Sequence, residues 1–373
     1  MDNAQGYSGQ CAQRKAIVGM SGGVDSSVAA ALSIEQGFKC AGLTLKLFKR
    51  EIELSESAGL FNKCSRSDIN DARDVAFNLG MEHYVLDFTE EFDRQVVRRF
   101  IEIYEQGATP NPCIECNRYI KFNLLLQKVQ QLDFDFLVTG HYARITHDAA
   151  SGRFLLQKAL DEKKDQSYVL YCLTQQQLKS VRFPLGELSK NEVRKIAEDK
   201  KLVNAAKGES QDICFVPDGN YGNFIEEYTG KTYPHGDILD LEGKIIGRHK
   251  GLIRYTIGQR RGLGVAANVP IYVAAKSTID NTVTLGPETA LYTKTLTANN
   301  INLIACEELK RPMRVMVKTR YLQEGKNALV EQTDKDSLRV EFDKPQRAIT
   351  SGQAAVMYDG DIVIGGGTIL GTH

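Results

Sequence analysis

Short apolar runs and amphipathic stretches alternate along the first half of the chain. Residues 15–20 form an apolar run of the strand type, followed by a glycine-rich turn and a helical stretch over 28–36. The pattern predicts a strand over 40–47, a helix over 68–79 stopped at Gly80, and a strand over 81–88. A long helical stretch covers 90–105, and 136–139 and 154–158 read as further strands. Ser189 and Glu192 form a capping box ahead of a helix ending near Lys201. Strands alternating with helices of this length predict an α/β fold built on a doubly wound parallel sheet.

After about Asp218 helical periodicity fades and glycines and β-branched runs increase, over 237–246, 271–275 and 282–285. From about Leu291 the segments 313–319, 328–332, 337–342, 354–358 and 362–364 read as short strands joined by turns, which predicts a small barrel. The expected organisation is a catalytic α/β domain over 1–217, a small central linking domain over 218–290 and a C-terminal β-barrel over 291–373. At 373 residues the chain is long enough to split in this way.

Composition narrows the class. With 42% hydrophobic and 25% charged residues the chain is ordinary globular protein. The 47 basic and 47 acidic residues cancel, so any attraction to nucleic acid must come from local patches. Two patches qualify: Arg248, Lys250, Arg254, Arg260 and Arg261 interleaved with Tyr255, and Arg311, Arg314, Lys318 and Arg320. Lys190, Arg194, Lys195, Lys200 and Lys201 read instead as the solvated face of a helix. The N-terminal stretch has no apolar core and no later segment reaches transmembrane length, so a cytoplasmic protein without a membrane partner is expected. Eight cysteines scattered over a long chain do not form a secreted disulfide scaffold.

The sharpest motif is Gly19-Met20-Ser21-Gly22-Gly23-Val24-Asp25-Ser26-Ser27, between the first strand and the first helix. Glycines let backbone N–H groups close around an anion, the hydroxyls add donors, and the helix N-terminus adds partial positive charge. Asp25 would repel a phosphate, so its expected role is to hold Mg2+ bridging the phosphates. No Gly-Lys-Ser/Thr ending is present, which excludes the kinase-type loop. The motif resembles that of the PP-loop ATP pyrophosphatases, Ser-Gly-Gly-x-Asp-Ser. That resemblance implies ATP cleavage to AMP and pyrophosphate, with adenylation of a substrate oxygen.

Further segments refine the resemblance. They are Thr109-Pro110-Asn111-Pro112-Cys113-Ile114-Glu115-Cys116-Asn117, Val138-Thr139-Gly140-His141-Tyr142, Lys164-Asp165-Gln166-Ser167-Tyr168, Ser210-Gln211-Asp212-Ile213-Cys214-Phe215, Lys318-Thr319-Arg320-Tyr321 and Ser351-Gly352-Gln353. In this order they resemble the tRNA-specific 2-thiouridylases. The resemblance implies ATP contacts from Gly19, Met20, Ser21, Gly22, Gly23, Val24, Asp25, Ser26, Leu45 and Gly140. It implies target-base contacts from Asn111, Pro112 and Cys113, and tRNA contacts from His141, Lys164, Asp165, Gln166, Arg320, Tyr321 and Gln353. Without it, His141 also reads as a satisfied structural histidine. The family's persulfide carrier falls on Cys214 and its nucleophile on Cys116, with a cysteine desulfurase or sulfur-relay protein as donor. A helix following the Pro-rich turn is expected to lower the Cys116 pKa. Cys113 stands where the family commonly has aspartate, which creates Cys113-x-x-Cys116. With Cys214 these thiolates offer three ligands for a 4Fe–4S cluster, so a persulfide and a cluster route both stay open. A PP-loop amidotransferase or ligase is the remoter alternative, since it leaves the three cysteines without work.

Overall fold

The structure, a computed structural model, describes residues 13–48, 66–208, 213–216 and 219–372. In chain order the first half contains β1 (Lys15–Gly19), α1 (Val24–Glu35), β2 (Lys39–Lys46), α2 (Arg66–Asn78) and β3 (Glu82–Asp87). A helical layer follows: α3 (Thr89–Phe92), a π-helical turn (Asp93–Val97), α4 (Arg98–Glu105), α5 (Pro112–Glu115), a π-helix (Cys116–Leu125) and α6 (Leu126–Gln131). Then come β4 (Phe136–Thr139), β5 (Arg144–Asp148), β6 (Arg153–Gln157), α7 (Ser167–Leu170), α8 (Gln175–Ser180), β7 (Val181–Arg182), α9 (Lys190–Asp199) and α10 (Tyr221–Thr229).

Five strands make a parallel sheet in the order β3-β2-β1-β4-β7. Helices cover both faces, so its central strands are apolar on both sides. Ile17, Val18, Leu137 and Val138 are fully buried there, each contributing about 1.5–3 kcal/mol relative to exposure. The order reverses between β1 and β4, and the carboxyl ends of these two strands are where a doubly wound sheet presents its ligand. Gly19 and Thr139 stand side by side at that edge.

The central domain is a four-stranded sheet, β10-β11-β8-β9, from β8 (Gly236–Leu239), β9 (Ile245–His249), β10 (Tyr272–Ser277) and β11 (Thr282–Gly286). The barrel comprises β12 (Tyr292–Leu303), β13 (Met313–Lys318), β14 (Lys326–Asp334), β15 (Ser337–Arg347), β16 (Ala354–Asp359) and β17 (Ile362–Thr372). Its order β12-β15-β14-β13-β16-β17 closes through β12 against β17, which removes the free edges. Among the described residues no helix is long and apolar enough to cross a membrane.

Two sequence expectations need correction. The strand expected at 154–158 does not join the parallel sheet. As β6 it forms an antiparallel hairpin with β5, and Gln157 pairs with Ile362 of the barrel. A short strand with three apolar residues, Phe154 to Leu156, carries no information about its partner, and pairing decided it. The first helix also starts at Val24 rather than Val28, so Asp25, Ser26 and Ser27 lie in its first turn.

The barrel is docked on the α/β domain through backbone and side-chain bonds. Asn302 Nδ2 donates to Tyr171 O (2.6 Å) and Leu173 O (2.9 Å), and the Tyr168 hydroxyl donates to Ala354 O (3.0 Å). A Cβ on Gly366 would come within 2.9 Å of the Tyr171 ring. Arg320, half-buried, sends Nη2 to Ile257 O (3.2 Å), Ala348 O (2.7 Å) and Thr350 Oγ1 (3.0 Å), tying the central domain to the barrel. Arg320→Met leaves these acceptors without that donor and should cost about 1–3 kcal/mol. A lowered melting temperature of the RNA-free protein is the expected result, and an unchanged one would show that the guanidinium is not a strut.

Candidate active site

The phosphate loop is built by close approach. Gly22 has φ of +73°, and a Cβ there would meet the Asp68 backbone at 2.4 Å, so both conformation and space demand glycine. Ser21 N donates to Ser26 Oγ (3.2 Å), while the Ser26 and Ser27 hydroxyls both donate to Gly23 O at 3.0 and 3.1 Å. Asn204 Nδ2 braces Gly22 O (3.0 Å) and Ser27 Oγ (2.9 Å) from outside. Lys207 Nζ reaches Gly22 O (3.2 Å), Asp68 (2.5 Å) and Asp71 (2.5 Å). Asp25 Oδ1 accepts from Tyr142 OH at 2.7 Å and from Lys190 Nζ at 2.6 Å. The expected magnesium role of Asp25 therefore meets an ammonium already in place. Lys190 is buried and aimed at the loop, not solvated on a charged face.

The end of β4 presses on this loop. A Cβ on Gly140 would lie 2.7 Å from Asp25 C and 2.8 Å from Ser26 N. The next residue, His141, is buried, with Nδ1 2.7 Å from Thr139 Oγ1. Its ring packs on Phe122 (5.6 Å) and Phe183 (5.8 Å). Burial, then the Lys121 charge, holds its pKa well below the usual value, so the imidazole is neutral.

Phe122 and Lys121 belong to the helix that carries the thiols. Pro112 occupies its first turn, where a missing N–H costs nothing, and Asn111 caps it from extended backbone. From Cys116 the helix widens to π winding. Such segments recur at functional sites because they re-aim side chains. Asn117 Nδ2 anchors it to Val169 O (3.0 Å). Cys116 is buried and Cys113 is exposed. Burial raises both thiol pKa values and Lys121 pulls both back. The expected lowering of Cys116 by a helix N-terminus does not hold: the helix begins at Pro112, a full turn earlier, and desolvation wins. Tyr321, whose ring lies 6.1 Å from that of Tyr168, has its hydroxyl pushed up to about 12 by burial with smaller contributions from Asp165 and Cys113.

Three family models match consecutive parts of the chain. They describe a tRNA methyl transferase HUP domain over residues 14–218, a tRNA methyl transferase PRC-barrel domain over 222–287 and an aminomethyltransferase beta-barrel domain over 293–369. A protein of Acetivibrio thermocellus named tRNA-specific 2-thiouridylase MnmA is 46% identical over 360 residues, 96% of this chain and 99% of its own length. One of Clostridioides difficile with the same name is 44% identical over 356 residues, 95% of this chain and 98% of its own. The chain belongs to the MnmA family. A solved 4-thiouridine synthetase–RNA complex with bound ATP overlaps 57% of this chain and 50% of that chain at 15% identity, but its TM-score of 0.33 carries no argument.

Within this MnmA-family fold the residues singled out from sequence do not all converge. Gly140 seats on the loop at Asp25 and Ser26, His141 packs on Phe122 of the helix that carries Cys113 and Cys116, and Leu45 lies one residue before the end of β2. Cys214 sits in the described segment 213–216, whose Phe215 packs among Phe92 (5.9 Å), Phe100 (5.1 Å) and Phe224 (5.3 Å). No disulfide joins it to Cys116. Among the described residues no three His, Cys, Asp or Glu side chains form a metal-holding group. Cys113, Cys116 and Cys214 are therefore not gathered in this structure into the cluster site that the Cys-x-x-Cys spacing suggested, because sequence spacing fixes two of the thiols and leaves the third to tertiary placement.

Several residues expected to contact tRNA have internal partners. Asp165 is buried and accepts from Ala159 N, Ser167 N and Ser167 Oγ at 3.1, 3.1 and 2.8 Å. Gln166 Oε1 takes the Tyr142 N–H (3.0 Å), and Lys164 is half-buried beside them. Gln353 Nε2 donates to Thr109 O (2.9 Å) and Pro110 O (3.1 Å), just ahead of Asn111. Sequence reasoning missed Lys121, Lys190, Asn204 and Lys207, since a lone lysine or asparagine carries no local signal of its tertiary partner.

Gln353→Ala removes two bonds worth about 1–3 kcal/mol together. Hydrogen exchange over residues 108–116 should accelerate about ten- to a hundredfold in the RNA-free protein, with ATP affinity unchanged. Gln353→Lys, which restores a donor, should recover most of the protection. Unaltered exchange would show that Gln353 does not hold this turn.

Proposed function

We propose that this MnmA-family protein forms 2-thiouridine at the wobble position of tRNA with consumption of ATP. The observation that carries the reading is the seating of Gly140 on Asp25 and Ser26 while His141, one residue on, packs against the helix bearing Cys113 and Cys116. Activation and sulfur chemistry thus share one wall. An amidotransferase or ligase would leave both thiols idle.

The uridine C2 carbonyl is a poor electrophile. With ATP in the phosphate loop, O2 attacks the α-phosphorus, pyrophosphate leaves, and O2 becomes the leaving oxygen of AMP. The loop amides and Lys190 favour the charge that develops on the phosphates. Magnesium at this site would travel with the nucleotide's own phosphates, since Asp25 Oδ1 already takes the Lys190 ammonium. The terminal sulfur of a Cys214 persulfide, loaded by a cysteine desulfurase or relay protein, adds at C2 and expels AMP. The Cys116 thiolate then attacks Cys214 Sγ, the Sγ–S bond breaks, and the outer sulfur departs on the base. A Cys116–Cys214 disulfide remains, and an external dithiol reduces it. The segment 213–216 must bring Cys214 to Cys116 for this step. Asn111, Pro112 and Cys113 face the base, with Tyr321 opposite Cys113, and the tRNA body extends over the basic patches.

Cys116→Ser and Cys214→Ser should each abolish 2-thiouridine, read by mass spectrometry of nucleosides, with ATP affinity near normal. An undiminished yield from either variant removes that cysteine from the route. The thiolate of Cys116 is the reactive form, and burial raises its pKa while Lys121 lowers it. Single-turnover sulfur transfer should therefore rise with pH through the alkaline range. Removing the cation disfavours the thiolate, so Lys121→Met should move that rise to higher pH and Lys121→Arg should not. A profile unmoved by Lys121→Met would dissociate this lysine from the thiol.

A further inference from the structure

Beside the thiol helix, on the face that carries Glu115 and Arg118, lies a cavity of about 190 Å3 between the α/β domain and the barrel. Its walls include Arg99, Asn111, Arg118 and Tyr119 from one side and Asn300 and Gly352 from the other. The volume holds on the order of ten waters or one phosphate with its ester oxygens. Nothing in the proposed route uses it.

The charges lining it do not balance. Arg99 Nη1 is satisfied by Glu115 Oε2 and the Tyr119 hydroxyl, both at 2.9 Å, and its guanidinium lies 4.6 Å from the Tyr119 ring centre. Glu115, whose field reaches Arg118, is thereby occupied. Arg118 has Nη2 on the Tyr171 hydroxyl (3.2 Å) and makes no ion pair among the described residues. Its Nε is sealed from solvent with no acceptor. Two guanidiniums against one carboxylate leave the lining of this cavity at net +1. Arg118 thus brings to the cavity wall a guanidinium with no carboxylate of its own, and the planar fork of arginine matches phosphate oxygens.

We propose that this interdomain cavity is a phosphate subsite for the RNA strand, taking a backbone phosphodiester next to the target uridine through Arg118. The inference rests on the tRNA reading above and adds to it a site that the resemblance does not assign. Asn111 argues for RNA rather than a free ion: it lines the cavity and also opens the Asn111-Pro112-Cys113 segment expected at the base. One residue thus spans the step from base to backbone. Gly352 places the Gln353 turn on the opposite wall, so the barrel completes the subsite.

The test measures binding of unmodified tRNA against potassium chloride concentration for the wild type, Arg118→Gln and Asn300→Asp. Asn300 has φ of +49°, which aspartate tolerates, and the substitution adds a carboxylate from the barrel side without touching the thiol helix. Arg118→Gln should weaken binding and flatten the plot of log affinity against log salt by about 0.7, the contribution of one single-strand phosphate. Asn300→Asp should weaken binding as well, and ATP affinity should be unchanged in both. Calorimetry with inorganic phosphate and pyrophosphate provides the second arm. Unchanged tRNA affinity and slope in both variants overturns the subsite. Phosphate binding lost in Arg118→Gln with tRNA binding intact overturns it in favour of a free-anion site. Wild-type protein that does not bind tRNA overturns the functional reading itself, before any variant is considered.

Discussion

The structure turns on the contact between the end of β4 and the nucleotide loop. A side chain at position 140 would occupy the space of the Asp25 and Ser26 backbone, so the two strand ends at the sheet's reversal can approach only through glycine. That contact sets the distance from phosphate chemistry to everything downstream of Thr139. His141 follows without slack, and its neutral ring sits against Phe122 and Phe183 as a rigid spacer. The thiol helix is therefore registered against the loop by packing, not by a flexible linker. Close-packed interiors transmit such constraints because they do not deform continuously.

A second constraint lies at the barrel. Residues that sequence reasoning reserves for RNA are largely spent on internal bonds: Arg320 on three acceptors and Gln353 on two carbonyls across domains, Asp165 on three donors within its own loop. A turn held at Thr109 and Pro110 fixes where Asn111 starts, and a helix whose first residue is Pro112 has little freedom after that. The barrel acts at a distance on the thiols through two hydrogen bonds and one proline.

What was legible in the sequence follows from the range of the interactions. The phosphate loop depends on backbone conformation over nine residues, and glycine and serine announce that locally. The parallel strands declare themselves because burial on both faces requires unbroken apolar runs. The strand at β6 is legible but its sheet is not, since Ile362 of the barrel lies about two hundred residues away and its hairpin partner β5 carries no signal that sequence reasoning caught. The π winding after Cys116, the inward turn of Lys190 and the placement of Cys214 depend wholly on tertiary neighbours. The Cys-x-x-Cys spacing misled for the same reason: two thiols one helical turn apart look like ligands only if a third arrives.

The thiols show how the opposing forces settle the order of chemistry. Burial keeps Cys116 protonated in the resting protein, and Lys121 is the described charge that works against it. A thiol whose pKa is raised is slow to attack or to oxidise while it stays protonated. On the proposed route a seated base would exclude water further and strengthen the Lys121 field, since Coulomb terms grow as the local dielectric falls. The same closure would deepen the burial penalty. Attack is favoured only if the ammonium gains more than desolvation costs, and that requires Lys121 to lie nearer the sulfur than the incoming apolar surface does. In the π winding that starts at Cys116, residues five apart come back over one another as they do not in an α-helix, which brings position 121 back over position 116.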